Sequence, residues 1–220
     1  MIGIYFIATG PYKVQIEDFL DSVINFRPDS KKHVVLITDD NGNYNRDYLT
    51  IEHHHVDDAP WPIVTLLKMW YINKYKIECD ELYYFNANAR IFKDIPIYNN
   101  KILLTNHPTS KTCYMDNIGF LKLEDDNPNS ISYIGRIPYT YVSAAFFGGD
   151  SKLVYEMCNT ISLWVEDDLR RGVIPRWHDE SYLNKYCVLN SRLCKIDKII
   201  GTECPVYFVD NKRFIPKRKY

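Results

Sequence analysis

Apolar positions along this chain fall into short continuous runs, separated by stretches in which they recur at helical spacing. Ile2 to Ala8 is an unbroken run and predicts a buried strand. Thr9-Gly10-Pro11 closes it as a turn, and the apolar residues from Tyr12 to Phe26 then follow a helical period. His33 to Thr38 predicts a second buried strand, ended by the turn signal Asp39-Asp40-Asn41-Gly42. Pro62 to Tyr75 reads as a helix with proline in its first turn. Glu81 to Phe85 predicts a third strand and Ala144 to Phe147 another. Ser151 to Arg171 predicts a long helix with Ser151 as its N-cap, and Asp179 to Leu189 a shorter one. This alternation predicts an α/β fold with helices on both faces of one sheet. Ligands of such sheets sit at the carboxyl ends of strands, which points to Thr9 to Tyr12, Asn86 to Asn88 and the turn after Phe147.

The 220 residues fit one domain, and the 46% hydrophobic content is that of a globular protein. Aromatics reach 15%, with 18 Tyr, which suits a packed core or flat sugar and base faces. A formal net charge of -1 gives no argument for a nucleic-acid partner. The last residues are an exception, with Lys212, Arg213, Lys217, Arg218 and Lys219 and no acid. That tail reads as a solvated end or as an anion clamp. No apolar run is long enough to span a bilayer. The six Cys show no CxxC spacing and read as free thiols, so a cytoplasmic location is expected.

Four segments carry candidate chemistry. Asn86-Ala87-Asn88 follows a strand and reads as a plain turn or as a ligand loop. Trp177-His178-Asp179-Glu180-Ser181 puts two acids into the first turn of a helix, as dipole partners or as catalytic carboxylates. Ala144-Ala145-Phe146-Phe147-Gly148-Gly149 sets small residues beside aromatics, as a buried strand or a tight pocket wall. Arg213 to Lys219 is the basic tail. His53-His54-His55 is set aside as a strand or surface segment, because consecutive strand residues face opposite ways.

Taken together, these segments resemble glycosyltransferase family 6, which holds the histo-blood-group A and B transferases and the α-1,3-galactosyltransferases. Trp177 to Ser181 running on into Leu183-Asn184-Lys185-Tyr186 is the strongest piece. Phe146 to Gly149, His107-Pro108, Ser130 to Ile134 and the tail add order and spacing. The resemblance covers nearly the whole chain as a catalytic domain, without the membrane anchor and stem of the animal members.

It implies a GT-A fold, a Rossmann-like mixed sheet flanked by helices. The nucleotide-binding part would lie in about residues 1–90, the donor-sugar and acceptor part in about 91–211, and a mobile tail in 212–220. It also implies retaining α-1,3 transfer from a UDP-sugar to the 3-hydroxyl of galactose. Ile7, Ala8, Thr9 and Tyr12 fall where the family holds uridine, and Trp61 matches a family Trp. Lys68 stands where the animal enzymes have a donor-binding Arg. Ser143, Ala144 and Ala145 lie in the stretch that separates Gal from GalNAc, and the small Ser143 favours GalNAc. His178 and Asp179 lie on the donor-sugar side, and Lys217, with Arg218 and Lys219 beside it, at the diphosphate. His107, Trp177, Asp210 and Glu180 fall where the acceptor is held, and Glu180 is the family's catalytic carboxylate. Asn86 and Asn88 replace the acids of the family's Asp-x-Asp metal motif, so no divalent metal or other cofactor is expected. The expected partners are a UDP-GalNAc donor and a fucosylated, H-antigen-like galactoside. The rivals are a metal-dependent UDP-Gal transferase, a degenerate glycan-binding protein and a nucleotide-sugar hydrolase.

Overall fold

A computed structural model describes residues 1–107, 127–135, 137, 139–200 and 205–208. The elements in chain order are β1 (Ile2–Ile7), α1 (Ile16–Ser22), β2 (Lys32–Thr38), β3 (Thr50–His55), α2 (Ile63–Leu66), α3 (Lys68–Lys74), β4 (Glu81–Phe85), β5 (Ala89–Ile91), β6 (Ile102–Asn106), β7 (Val142–Asp150), α4 (Ser151–Arg170), α5 (Asp179–Leu189), β8 (Cys194–Asp197) and β9 (Val206–Phe208). Seven strands form one mixed sheet in the order β3-β2-β1-β4-β7-β6-β8, and β5 pairs with β9 separately. The first four strands of that order run parallel, whereas β7 is antiparallel to both β4 and β6. This is the expected α/β architecture, a single GT-A-like domain. The two halves read from the sequence share one sheet, because β4 and β7 are neighbours.

Alternate strand residues feed two cores, one on each face. Tyr5, Ile7, Val35, Ile37, Leu82 and Tyr84 pack with α3, α4 and α5. Ile4, Phe6, Val34, Leu36, Tyr83 and Phe85 pack with α1 on the other face. Strands β1, β2 and β4 are buried on both sides, which is why they read as continuous apolar runs.

Several boundaries differ from the sequence reading. The Tyr12 to Phe26 segment is α-helical only over Ile16–Ser22, flanked by tight 3-10 turns at Gly10–Gln15 and Val23–Asn25. Pro62 to Tyr75 is two short helices meeting at Leu67. The cap of α4 is Asp150 rather than Ser151: its carboxylate accepts from Leu153 N–H at 3.1 Å. A carboxylate caps as well as a hydroxyl and adds charge matched to the helix dipole. The Ser151 hydroxyl donates instead to the Cys79 carbonyl.

The three histidines lie in the edge strand β3, where His54 stacks on Tyr75 at 3.8 Å and bonds Glu52 at 2.6 Å. Gly148 explains one of the singled-out motifs, because a Cβ there would meet the Tyr83 ring at 2.2 Å and the Leu82 carbonyl at 2.7 Å. Cys79, Cys158, Cys187 and Cys194 are free thiols. No helix among the described residues is long and apolar enough to cross a membrane.

Candidate active site

A cavity of about 530 Å³ opens at the carboxyl ends of β1 and β4, where the fold class places ligands. Ile7, Thr9 and Tyr12 line one side of it, and Trp61, Val64, Thr65 and Lys68 another. Asn86 and Ala87 follow β4 into it, and Ala144, Ala145, Trp177, Asp179 and Glu180 complete the wall. The sequence-singled segments at 7–12, 86–88, 144–145 and 177–180 therefore meet in one place.

The chemistry is built where β7 outruns its neighbour. Strand β4 stays paired with β7 up to Phe85 opposite Phe146, and Asn86 N–H then reaches the Ala145 carbonyl at 2.9 Å. Beyond that point side chains replace a strand as hydrogen-bond partners of the β7 backbone. Val142 N–H donates to the Asn184 side-chain oxygen and Val142 C=O accepts from its amide nitrogen, both at 2.8 Å. Ala144 N–H donates to Glu180 Oε2 at 2.9 Å, and Ala144 C=O accepts from Lys68 Nζ at 2.8 Å.

Glu180 is thus held from outside its own helix. Burial pushes its carboxyl up to about 6, against the lowering effect of the Ala144 N–H. Tyr141, 1% exposed, lies beside that carboxylate, and its hydroxyl makes no well-formed hydrogen bond among the described residues. His107 packs edge-on against Tyr141 at 5.8 Å, and burial holds its imidazole below the usual range. His107 therefore stands behind Tyr141 rather than on the cavity wall.

Lys68 is buried and donates to Asp179 Oδ2 at 2.5 Å, with its ammonium 4.5 Å above the Tyr84 ring. Burial alone would disfavour the charge, but the Asp179 carboxylate more than offsets it and holds Lys68 above its ordinary value. Among the described residues, Lys68 donates to Asp179 and to the Ala144 carbonyl.

His178 has φ 51° and ψ -123°, a backbone region that favours glycine and stores strain just ahead of the two acids. Its ring meets Trp61 edge-on at 4.4 Å, and burial lowers its pKa, so it is neutral near pH 7. The Trp177 indole N–H is buried without a partner among the described residues, in a side chain that lines the cavity.

The two asparagines pair with each other. Asn86 Nδ2 donates to Asn88 Oδ1 at 2.9 Å, and the Tyr84 hydroxyl donates weakly to Asn86 Oδ1 at 3.4 Å. Both amide oxygens thus face protein donors, and neither side chain carries charge. The pair does not fit a divalent ion.

Of the expected residues, Ala8, Asn88, His107, Ser143 and His178 are not on the wall. Ala8 is fully buried in the α1-side core. Ser143 is buried, and its hydroxyl accepts from Ala145 N–H at 3.3 Å, so it is not among the lining residues. Asp210, Lys217, Arg218 and Lys219 lie outside the described residues.

Val64, Thr65, Tyr84 and Tyr141 join the site without having been singled out, and Asn184, quoted only as part of the family resemblance, joins it as well. For the first two a signal existed: 61, 64, 65 and 68 share one helical face, and its two ends were already candidates. Asn184 had the same signal, four positions after Glu180 on one helix, whereas Tyr141 carried no such local signal.

Comparison with known proteins gives the family of the chain. The sequence model of glycosyltransferase family 6 matches residues 120–218. The O-antigen biosynthesis glycosyltransferase WbnI of Escherichia coli is 31% identical over 204 residues, covering 88% of this chain and 84% of that protein.

Proposed function

Because the chain belongs to glycosyltransferase family 6, we propose that it moves GalNAc from UDP-GalNAc to the 3-hydroxyl of galactose in a fucosylated, H-antigen-like acceptor, retaining the anomeric configuration and using no divalent metal. One observation carries the reading: Glu180, a largely buried carboxylate fixed by Ala144 N–H on the cavity wall. A retaining transfer needs such a group facing the anomeric carbon opposite the leaving diphosphate.

The bond from that carbon to UDP breaks, and its electrons leave on the β-phosphate oxygen. Glu180 either bonds the carbon transiently or stabilises its oxocarbenium-like state. The acceptor hydroxyl oxygen takes the carbon, and its proton passes to the departing phosphate. Ile7, Thr9, Tyr12 and Val64 offer the base and ribose an apolar wall with two hydroxyls, Asp179 lies on the donor-sugar side, and Trp177 flanks the acceptor.

The departing diphosphate still needs positive or donor groups. Asn86 and Asn88 supply neutral amides, and the tail supplies Lys217, Arg218 and Lys219. Strand β9 pairs Phe208 with Ala89, one residue past Asn88. Lys217 follows nine positions later in the sequence, within an extended reach of roughly 30 Å. Charge-assisted hydrogen bonds contribute about 1.5–3 kcal/mol each.

A second reading, transfer of galactose from UDP-Gal, draws on the position of Ser143. With Ser143 off the wall, the choice of GalNAc rests on the small Ala145, which lines the cavity. The link to glycan assembly in the name of the Escherichia coli relative suits either donor.

One assay tests these readings: UDP-GalNAc or UDP-Gal with 2′-fucosyllactose, in EDTA or in manganese, with product identification. The expected outcome is an α-linked GalNAc product at equal rate in EDTA. Dependence on manganese, or use of UDP-Gal alone, would overturn the corresponding half. UDP release without a glycoside product would make the protein a hydrolase. A chain ending at Pro216 is expected to lose about a hundredfold or more in kcat, from two lost charge-assisted bonds. Unchanged turnover would remove the tail from the mechanism.

A further inference from the structure

Asn184 lies one helical turn beyond Glu180 on α5, at 1% exposure. Its side chain makes three hydrogen bonds at 2.8 Å. The oxygen accepts from Val142 N–H, and the nitrogen donates to Val142 C=O and to Glu180 C=O. Both N–H groups are spent, and the amide mimics the missing strand partner of Val142. Two residues along β7, Ala144 N–H holds the Glu180 carboxylate. The same strand end is therefore tied twice to the same helix, once by the carboxylate and once by this amide.

We propose that Asn184 is a positioning residue for the transfer reaction: its amide locks the first turn of α5 to β7, so that the Glu180 carboxylate stays on the Ala144 N–H and faces the cavity. Catalytic groups must be held to about half an ångström, and that requires supporting hydrogen bonds. A carboxylate on two flexible methylenes, in the first turn of a helix, would not be so held by its own helix. Only an amide can supply one acceptor and two donors at this spot: a serine has a single O–H, and an aspartate would set its oxygens against two carbonyls.

This inference rests on the assignment of Glu180, so Glu180→Gln is carried as a control. If that variant keeps activity, the assignment fails whatever Asn184 does. The test uses Asn184→Ser and Asn184→Ala in the full chain, each assayed well below its own Tm. UDP binding is measured by titration calorimetry, and UDP release from UDP-GalNAc and UDP-Gal across pH 4.5–8.5.

The groups facing Glu180 are Asp179, Lys68 and Tyr141, and all stay in place in both variants. UDP affinity is expected to hold within about threefold while kcat falls tenfold or more. The acidic limb of the kcat profile should move to higher pH, because the carboxylate loses a firm N–H donor. Wild-type kcat, or a fall with the limb unmoved, would overturn the proposal. Loss of UDP binding together with kcat in both variants would make Asn184 a folding residue and also overturn it.

Discussion

Glu180→Gln is expected to abolish sugar transfer and to make the protein more stable. The amide is isosteric and can still accept from Ala144 N–H, but it can neither bond the anomeric carbon nor offset its charge. Losing about 4 kcal/mol of transition-state stabilisation lowers kcat roughly a thousandfold. The gain in stability has a separate cause. Burial raises the Glu180 pKa from 4.5 to about 6, so its ionisation works against folding. That shift is worth about 2 kcal/mol, or roughly 4–8 °C in Tm.

The cost of the charge is absent below the ordinary value of 4.5 and is complete above the folded value of about 6. The variant should therefore melt higher at pH 7.5 and level with wild type near pH 4. For the same reason wild-type kcat should fall as pH drops through about 6, since the mechanism needs the ionised form. Thermal melts at the two pH values and a kcat–pH profile check both statements. A Gln variant no more stable at pH 7.5 would mean that the carboxylate is not strained by burial.

Breaking the Lys68–Asp179 pair is expected to have the largest effect on stability. Both residues are buried, at 6% and 7% exposure, and the bond between them spans 111 positions in sequence. Lys68→Met leaves the Asp179 carboxylate uncompensated in the protein interior, beside Glu180. Removing one partner of a buried pair costs about 3–5 kcal/mol, roughly 10 °C in Tm for a chain of this size. The Ala144 carbonyl also loses its donor, so the wall around Glu180 loosens and kcat should fall too. Replacing both partners, Lys68→Met with Asp179→Leu, removes the stranded charge and should recover most of the stability but none of the activity. Denaturant unfolding of the two single variants and the double variant forms a closed cycle. A coupling energy near zero would mean the pair is no more than a surface contact.

Two-sided burial made three strands legible, though β6, buried on both faces as well, was not among them. Strands β1, β2 and β4 read as continuous apolar runs, because both their faces meet helices or turns. Edge strand β3 did not: Thr50 to His55 is polar, and its strand state comes from pairing with β2 rather than from its own composition. The short pair β5 and β9 was equally silent, since three residues carry no measurable period.

By itself, the sequence determined which chemistry is present and in what order: two acids opening a helix after Trp177-His178, amides after the third strand, small residues before Phe146, and cations at the end. That order was enough to identify the family. Only the tertiary structure decided what each group is bonded to. Lys68, expected at the donor, is bonded to Asp179 and the Ala144 carbonyl. Ser143 turned its hydroxyl to the backbone of its own strand, and Asn184 emerged as the tie behind Glu180. The physical reason is one of range. Periodicity and capping act over a few residues, whereas a carboxyl pushed to about 6 requires a neighbourhood assembled from segments 36 or more positions apart.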